Sequence, residues 1–334
     1  MTKDVTLADI AADVGVSVVA VSKALSGKPG VSDEMRNRIK MVAERLGYIY
    51  GKGSGAKTGN IGIIIPEHYY GYSVSFYRQL YECVVKALYD AKYFGILELL
   101  TKEDEQTGKI PVVVQDSKVD GLIILGQMDV DYVKTIIEQT ELPICFLDTY
   151  LSAVAMDTVI SDGYHGTYTL TNYLIKNGHE RIAFVGNADA TSSIADRFWG
   201  YRRALREHGI AFQDEWEISD CHETGSNFEL NLERVKDVDA YVCNSDYVAY
   251  RLIQKLQEAG VWVPKDVSVV GFDDFLPIGM EESCITTYGV DMVQMAKTCV
   301  DVLDKKIKGE AYTQGIQIVT GRMIIRNTVK TKSE

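Results

Sequence analysis

The chain has 334 residues, 46% of them hydrophobic, which is enough for roughly two domains with sizeable cores and too apolar for a disordered chain. Its 47 acidic residues against 35 basic ones give a net charge of −12, which excludes coating of nucleic acid or an anionic membrane along the whole length. The six cysteines (Cys83, Cys145, Cys221, Cys243, Cys284, Cys299) are scattered without a CxxC pair, so buried free thiols are expected rather than metal ligands or disulfides.

The first stretch, TLADIAADVGVSVVAVSKAL (6–25), predicts two short helices. Leu7, Ile10, Ala11 and Val14 fall at i, i+3, i+4 and i+7 behind Thr6 as N-cap, and Gly15 ends the helix by accepting a positive φ. Ser17 caps the second helix, whose Val21, Ala24 and Leu25 face inward. This is helix-turn-helix spacing, which places the second helix in the major groove of double-stranded DNA. Two short helices bury too little alone. A third, capped by Ser32 and carrying Met35, Ile39, Val42, Ala43 and Leu46 before Gly47 stops it, completes a foldable head over residues 1–49. Residues 1–58 hold nine Lys/Arg and six Asp/Glu, so this part is +3, and residues 59–334, with 26 against 41, are −15. Only the head suits a polyanion, and screening over about 8 Å at physiological salt lets it bind while the acidic body is held away.

Residues 50–60, YGKGSGAKTGN, read as a glycine-rich hinge linker. Gly51 to Thr58 comes within one residue of a phosphate-binding loop, but that chemistry needs a strand before the loop and a helix after it, and here the order is reversed. From Ile61 onward, apolar runs alternate with helix-length amphipathic stretches. IGIII (61–65), FGILELL (94–100), DGLIIL (120–125) and PICFLD (143–148) form one set; RIAFVG (181–186), DAYVC (239–243) and VSVVGF (267–272) form a second. Such alternation predicts parallel sheets, and two sets predict two α/β lobes. We assign residues 61–160 and 290–322 to the first lobe, and 161–289 and 323–330 to the second. A ligand in such a fold sits at the C-terminal ends of the strands, in the cleft between lobes. The opening MTKDVTLADIAADVG lacks the apolar core of a signal peptide, and no later run approaches membrane-spanning length, so a cytoplasmic protein with no membrane partner is expected.

Along nearly its whole length the chain resembles the lactose-repressor (LacI/GalR) family of transcription regulators. The motifs that carry the resemblance are TLADIAADVGVS and VSKALSGKPGVSDEMRNRI in the head, NGHERIAFVG (177–186), RFWGY (197–201), VPKDVSVVGFDD (263–274) and ITTYGVDMVQMA (285–296). The resemblance implies an α/β protein with a helix-turn-helix head and a two-lobe, periplasmic-binding-protein-like body that dimerises and changes operator affinity when a small effector closes the cleft.

Carried over residue by residue, the base-reading positions fall on Val18 and Val19, with Thr6, Ser17, Ser22 and Lys23 completing the DNA-facing set. Valines cannot hydrogen-bond bases and can only pack on thymine methyls. Lys23 stands where the family mostly has arginine, so a fork is replaced by a point charge. The linker has neither the proline nor the minor-groove leucine usual in relatives, which implies a weaker DNA bend or a substitute such as Tyr50. In the cleft, the resemblance places effector contacts on Asp148, Arg197 and Asp273, with Arg197 and Asp273 expected on opposite sides of the effector ring and Asp148 reaching in from the other lobe. Tyr70, Tyr72 and Phe76 are offered for stacking on a sugar. Ser245 stands where the family has an asparagine, and the adjacent Asn244 is not expected to compensate because neighbouring strand residues face opposite ways.

Nothing in the sequence supports catalysis. No nucleophile elbow, HExxH or dinucleotide fingerprint stands in its proper context, and His68, His165, His179, His208 and His222 show no ligand spacing, so no cofactor or metal is expected. His179 reads as a turn-stabilising residue before a strand. The leading reading is a homodimeric repressor with a sugar effector. The alternatives are control by a purine or a phosphorylated corepressor protein, a transport-type sugar-binding protein, and a sugar-processing enzyme or kinase.

Overall fold

The computed structural model describes residues 5–25, 30–46, 58–70, 76–115, 118–151, 153–220, 237–276 and 284–331. Gly47, Tyr50, the linker and its phosphate-loop decoy through Lys57, Tyr72, Cys221 and His222 lie outside the described residues. The chain divides into two compact units, residues 1–58 and 59–334.

The first unit is three helices, α1 (Leu7–Val14), α2 (Val18–Leu25) and α3 (Asp33–Leu46). Thr6 opens α1 with a reciprocal cap: its Oγ1 accepts from Asp9 N at 3.3 Å, and Asp9 Oδ2 accepts from Thr6 N at 2.8 Å. Gly15, at φ 80°, takes the left-handed turn that a side chain would resist. Ser17 Oγ accepts from Ala20 N and Ser32 Oγ from Met35 N, so both hydroxyls cap the helices that follow. The inward stripes meet as one core of Ile10, Ala11, Val14, Val21, Ala24, Leu25, Ile39 and Ala43. Met35, Val42 and Leu46 close its margin.

The second unit begins with β1 (Asn60–Pro66), α4 (Glu67–Tyr70), α5 (Phe76–Asp90), β2 (Phe94–Leu100), α6 (Lys102–Thr107), α7 (Val112–Gln115), β3 (Gly121–Leu125), α8 (Val130–Gln139), β4 (Ile144–Leu147) and β5 (Thr158–Ser161). It continues through α9 (Gly163–Lys176), β6 (Ile182–Val185), α10 (Ser192–Glu207), β7 (Glu217–Ile218), β8 (Ala240–Cys243), α11 (Asp246–Glu258) and β9 (Ser268–Val270). It closes with β10 (Thr287–Gly289), α12 (Met292–Lys308), β11 (Ile316–Val319) and β12 (Arg322–Ile324). Asn60, assigned to the linker from sequence, opens β1 in register with Phe94 and donates its side-chain amide to Lys118 O, because the strand needs its first pairing partner before the apolar run begins.

Lobe 1 is a six-stranded parallel sheet in the order β11-β5-β4-β3-β1-β2. Alternation splits β1 between two cores. Ile61, Ile63 and Ile65 pack with Leu80, Val84, Met295 and Leu303, while Ile64 joins Leu122, Phe146, Tyr132 and Ile136 on the other face. Lobe 2 is a four-stranded parallel sheet, β7-β6-β8-β9, with α11 on one face and α9 and α10 on the other. The strand pair β10 and β12 is antiparallel. The chain crosses between lobes three times, after β5, after β10 and after β11, and α12 packs in the lobe 1 core. Gly200 lets α9 and α10 touch: a Cβ there would lie 2.0 Å from Tyr164 O.

Cys145, Cys243 and Cys299 are buried and Cys83 half-buried, but Cys284 is exposed, against the expectation of burial, because it precedes the buried Ile285–Thr287 segment instead of belonging to it. No helix among the described residues is long and apolar enough to cross a membrane.

Candidate functional site

The C-terminal ends of both sheets face one cleft. Lobe 1 contributes Asp148, the residue after β4, held at φ 59°; lobe 2 contributes Asp273, beyond β9, at φ 100°. Aspartate is among the few residues with a side chain that tolerate such backbone angles, and strain of this kind concentrates at functional positions. Arg197, in the second turn of α10, lies between them. Its Nη2 is 3.1 Å from Asp273 Oδ1, its Nη1 donates to Asn244 O, and its guanidinium rests 4.1 Å from the centre of the Phe272 ring. The Arg197–Asp273 contact is an ion pair without hydrogen-bond alignment, so Asp273 Oδ1 keeps its acceptor capacity. The two side chains meet directly and leave no room for a ring between them; the expectation that they flank an effector from opposite sides does not hold here, because both project from neighbouring elements of lobe 2.

Burial dominates the electrostatics. It raises the Asp273 carboxyl to about 7, with Arg197 pulling it down and Asp148 pushing it up. It raises Asp148 to about 6, opposed by Arg197 and by the 3.0 Å hydrogen bond that Tyr77 donates. One guanidinium thus serves two dry carboxyls. Among the described residues, Asp148 Oδ1, Asp246 Oδ1, Asp273 Oδ1, Asn244 Oδ1, Arg197 Nε and the hydroxyls of Thr149, Ser161 and Thr287 are buried without a hydrogen-bond partner.

The predicted cleft residues divide. Phe76 reaches towards lobe 2, its ring edge-on to Phe275 at 6.5 Å. Tyr70 packs edge-on against Tyr81 instead, and the ring pair beside Asp148 is Tyr69 on Tyr77, centroids 4.5 Å apart. Ser245 is the N-cap of α11, its Oγ accepting from Val248 N at 3.2 Å. Asn244, which strand alternation argued against, is buried in the site: its carbonyl holds Arg197 and its Nδ2 donates to Asp220. The alternation rule fails because Asn244 follows the last residue of β8. Sequence reasoning also missed Gln127 and Tyr150, which join the lobes: Ser192 N donates to Gln127 Oε1 at 2.7 Å, and Tyr150 OH to Asp196 Oδ1 at 2.7 Å. Asp246 positions the loop bearing Asp273, since its N donates to Phe272 O and its carboxylate accepts from Phe275 N.

In the head, Val18 and Val19 are 45% and 59% exposed on α2, outside the core that Val21, Ala24 and Leu25 supply. Ser22 is exposed beside them and Lys23 half-buried. Arg36 donates to the carbonyls of Lys23 and Ala24, so α3 caps the end of α2. Thr6 and Ser17 carry the helix caps already described, at the exposed starts of α1 and α2.

An Asp–His–Ser arrangement exists away from the cleft. His179 Nε2 lies 2.9 Å from Ser268 Oγ and its Nδ1 3.6 Å from Asp239. Ser268 is fully buried at the start of β9 and also accepts from Lys330 N, so the group ties strand starts together and presents no nucleophile to a substrate. Among the described residues no group of three or more His, Cys, Asp or Glu side chains could hold a metal ion.

Residues 6–50 match the family of bacterial regulatory proteins, lacI family, and residues 171–329 match the periplasmic binding protein-like domain. The maltose regulon regulatory protein MalI of Escherichia coli (strain K12) is 27% identical over 96% of this chain and 98% of its own. Among solved structures, a complex of the transcriptional regulator CelR with cellobiose superposes with a TM-score of 0.71 at 23% identity, covering 97% of this chain and 99% of that one. The lac repressor dimer bound to operator and the anti-inducer ONPF gives 0.66 at 21% identity, covering 98% and 99%. The chain thus joins a lacI-family helix-turn-helix head to a two-lobe, periplasmic-binding-protein-like body, the arrangement of relatives that are DNA-binding transcription regulators.

Proposed function

We propose that the protein is a cytoplasmic, homodimeric repressor whose operator affinity is set by a neutral, hydroxyl-rich effector, a sugar, bound between Asp148 of lobe 1 and the Arg197–Asp273 pair of lobe 2. The observation that carries this reading is the group of buried cleft atoms without a hydrogen-bond partner: the acceptors Asp148 Oδ1, Asp273 Oδ1 and Asn244 Oδ1, beside the guanidinium donor Arg197 Nε. Each unsatisfied buried polar group costs about 1–3 kcal/mol, and vicinal hydroxyls supply the donors that are missing. A phosphorylated effector would bring a further anion to two carboxyls that already share one cation. A purine has fewer donors to give. The names of two relatives agree, one solved with cellobiose and one assigned to a maltose regulon.

On the DNA side, the exposed face of α2, with Val18, Val19, Ser22 and Lys23, reads the groove, and Thr6 and Ser17 contact the backbone at the helix starts. Dimerisation through lobe 1 fits the apolar surface of α5 and the edge strand β2, where Tyr89, Phe94 and Leu99 are exposed. A thermal-shift screen of mono- and disaccharides, sugar phosphates and purines tests the effector class, because a ligand at a hundred times its dissociation constant adds about 2.7 kcal/mol. Stabilisation by neutral sugars alone is expected; a response confined to purines or phosphates would overturn the reading.

A further inference from the structure

The solvent face of α10 carries a feature that neither the cleft nor the head uses. Trp199, Arg202, Arg203 and Arg206 follow one another at i, i+3, i+4 and i+7, a single stripe along the helix, and this stripe borders a groove of about 980 Å³ with Phe212 on its far side. Trp199 is 56% exposed. The Arg202 guanidinium lies 3.7 Å from the centre of the Phe212 ring and 6.0 Å from that of Trp199. Arg203 is engaged by Glu207 at 2.8 Å and by the Tyr164 hydroxyl. Arg202 and Arg206 have no carboxylate within ion-pair distance among the described residues; Glu217 is near enough to feel the charge of Arg202 without pairing to it.

These observations converge on one kind of occupant. Two unneutralised guanidiniums are kept on a body with 41 acidic residues to draw partners from. The aromatic floor under Arg202 holds its plane flat and leaves its N–H edge ordered for a carboxylate. An exposed tryptophan beside arginines has the composition of an interface hot spot, whereas a merely solvated face is built of lysine and glutamate. The stripe runs about 10 Å along the helix, the reach of three extended residues, and the groove is open along its length. We propose that this groove docks an acidic segment of a partner protein, whose carboxylates meet Arg202 and Arg206 and whose intervening apolar side chain packs on Trp199.

Fluorescence anisotropy with the full chain and a fluorescein-labelled Asp-Glu-Leu-Glu-Asp peptide tests the assignment. Saturable binding is expected, weakened severalfold when salt is raised from about 50 to about 300 mM. Arg202→Ala and Arg206→Ala should each weaken it about tenfold, and Trp199→Ala by a similar factor. Arg203→Ala, whose charge Glu207 already balances, should cost less. Trp199, Arg203 and Arg206 are exposed and Arg202 half-buried, so an unchanged melting temperature controls for folding. Binding no tighter than that of a Lys-Lys-Leu-Lys-Lys peptide, or binding undiminished in the Arg202→Ala, Arg206→Ala double variant, would overturn the proposal. So would displacement by inorganic pyrophosphate at equal charge concentration, which would make the groove a phosphate site.

Discussion

Arg197 and Asp273 form a buried ion pair across 3.1 Å at the mouth of lobe 2, and Asp148 of lobe 1 is close enough to feel the same guanidinium. The pair belongs at once to the architecture of lobe 2 and to the cleft. Arg197 also holds the carbonyl of Asn244 and lies on Phe272, so it fixes the ends of β8 and β9 together while leaving its Nε free for a ligand.

Arg197→Ala is therefore expected to do two things. Effector affinity should fall about ten- to hundred-fold, the worth of a hydrogen bond to a charged group, and the ligand-free body should melt earlier because two carboxyls lose their cation. Operator affinity should survive, since the head folds around its own core. Calorimetry with the best sugar, beside gel shifts, checks both; unchanged sugar affinity would remove Arg197 from the site.

The same carboxyls set a pH dependence. Burial raises Asp148 to about 6 and Asp273 to about 7 from ordinary values near 3.8, so the folded state holds protons that the unfolded chain has released. Their contribution to stability is fully present below about pH 4 and is lost as the pH rises through 6 to 7. The urea midpoint of ligand-free protein should fall from pH 5 to pH 8, and Asp273→Asn should flatten that fall. A variant with the wild-type slope would show that Asp273 does not titrate in this window.

Much of the fold was legible because strands buried on both faces must be continuous apolar runs, as β1, β3, β6 and β8 are. β5 (TVIS) is polar at both ends and β7 has only two residues, so neither leaves such a signature. Asp148, Arg197 and Asp273 could be found because motifs mark their positions. The rings beside them could not: α4 is a single helical turn, which aims Tyr69 and Tyr70 about 100° apart, and the sequence does not say which one faces the carboxyl. Ser245 carried a readable local signal, a serine before an amphipathic helix, which its place in the family motif overshadowed.

Val18 and Val19 stand clear of the head's core, so replacing both with alanine should leave the melting temperature of the head and its non-specific DNA affinity nearly unchanged. Base preference should relax at the positions that they cover, where each mismatch otherwise costs about 1–3 kcal/mol. Binding-site selection with wild-type and variant protein measures this. An equal loss of affinity for every sequence would remove the valines from the groove.

Ser245→Ala separates a helix cap from an effector contact. Loss of the bond to Val248 N should cost about 1 kcal/mol of stability, and Ser245→Asp should restore it. Sugar affinity should be the same in all three proteins once each is saturably folded. A tenfold affinity loss in the alanine variant, with normal melting, would return the hydroxyl to the effector site.

Gly200 tests how far the cleft depends on helix packing behind it. Its Cα faces the backbone of α9, where an added Cβ would lie 2.0 Å from Tyr164 O and 3.1 Å from Tyr168 N, so neither helix can yield by rotating a side chain. Gly200→Ala must push α10 outward, and α10 carries Ser192, Asp196 and Arg197, its contacts to lobe 1 and to Asp273. Overpacking of this kind costs about 1–3 kcal/mol, and contact with rigid backbone puts this site at the upper end. The substitution should also weaken sugar binding, although Gly200 touches no ligand, because the Arg197 guanidinium is held by contacts that tolerate little displacement. Operator binding in the absence of effector should persist at temperatures where the body remains folded. A variant that melts normally yet loses the sugar response would place the effect in α10 alone, and one that keeps both would show that α9 absorbs the shift and that Arg197 is not positioned through this crossing.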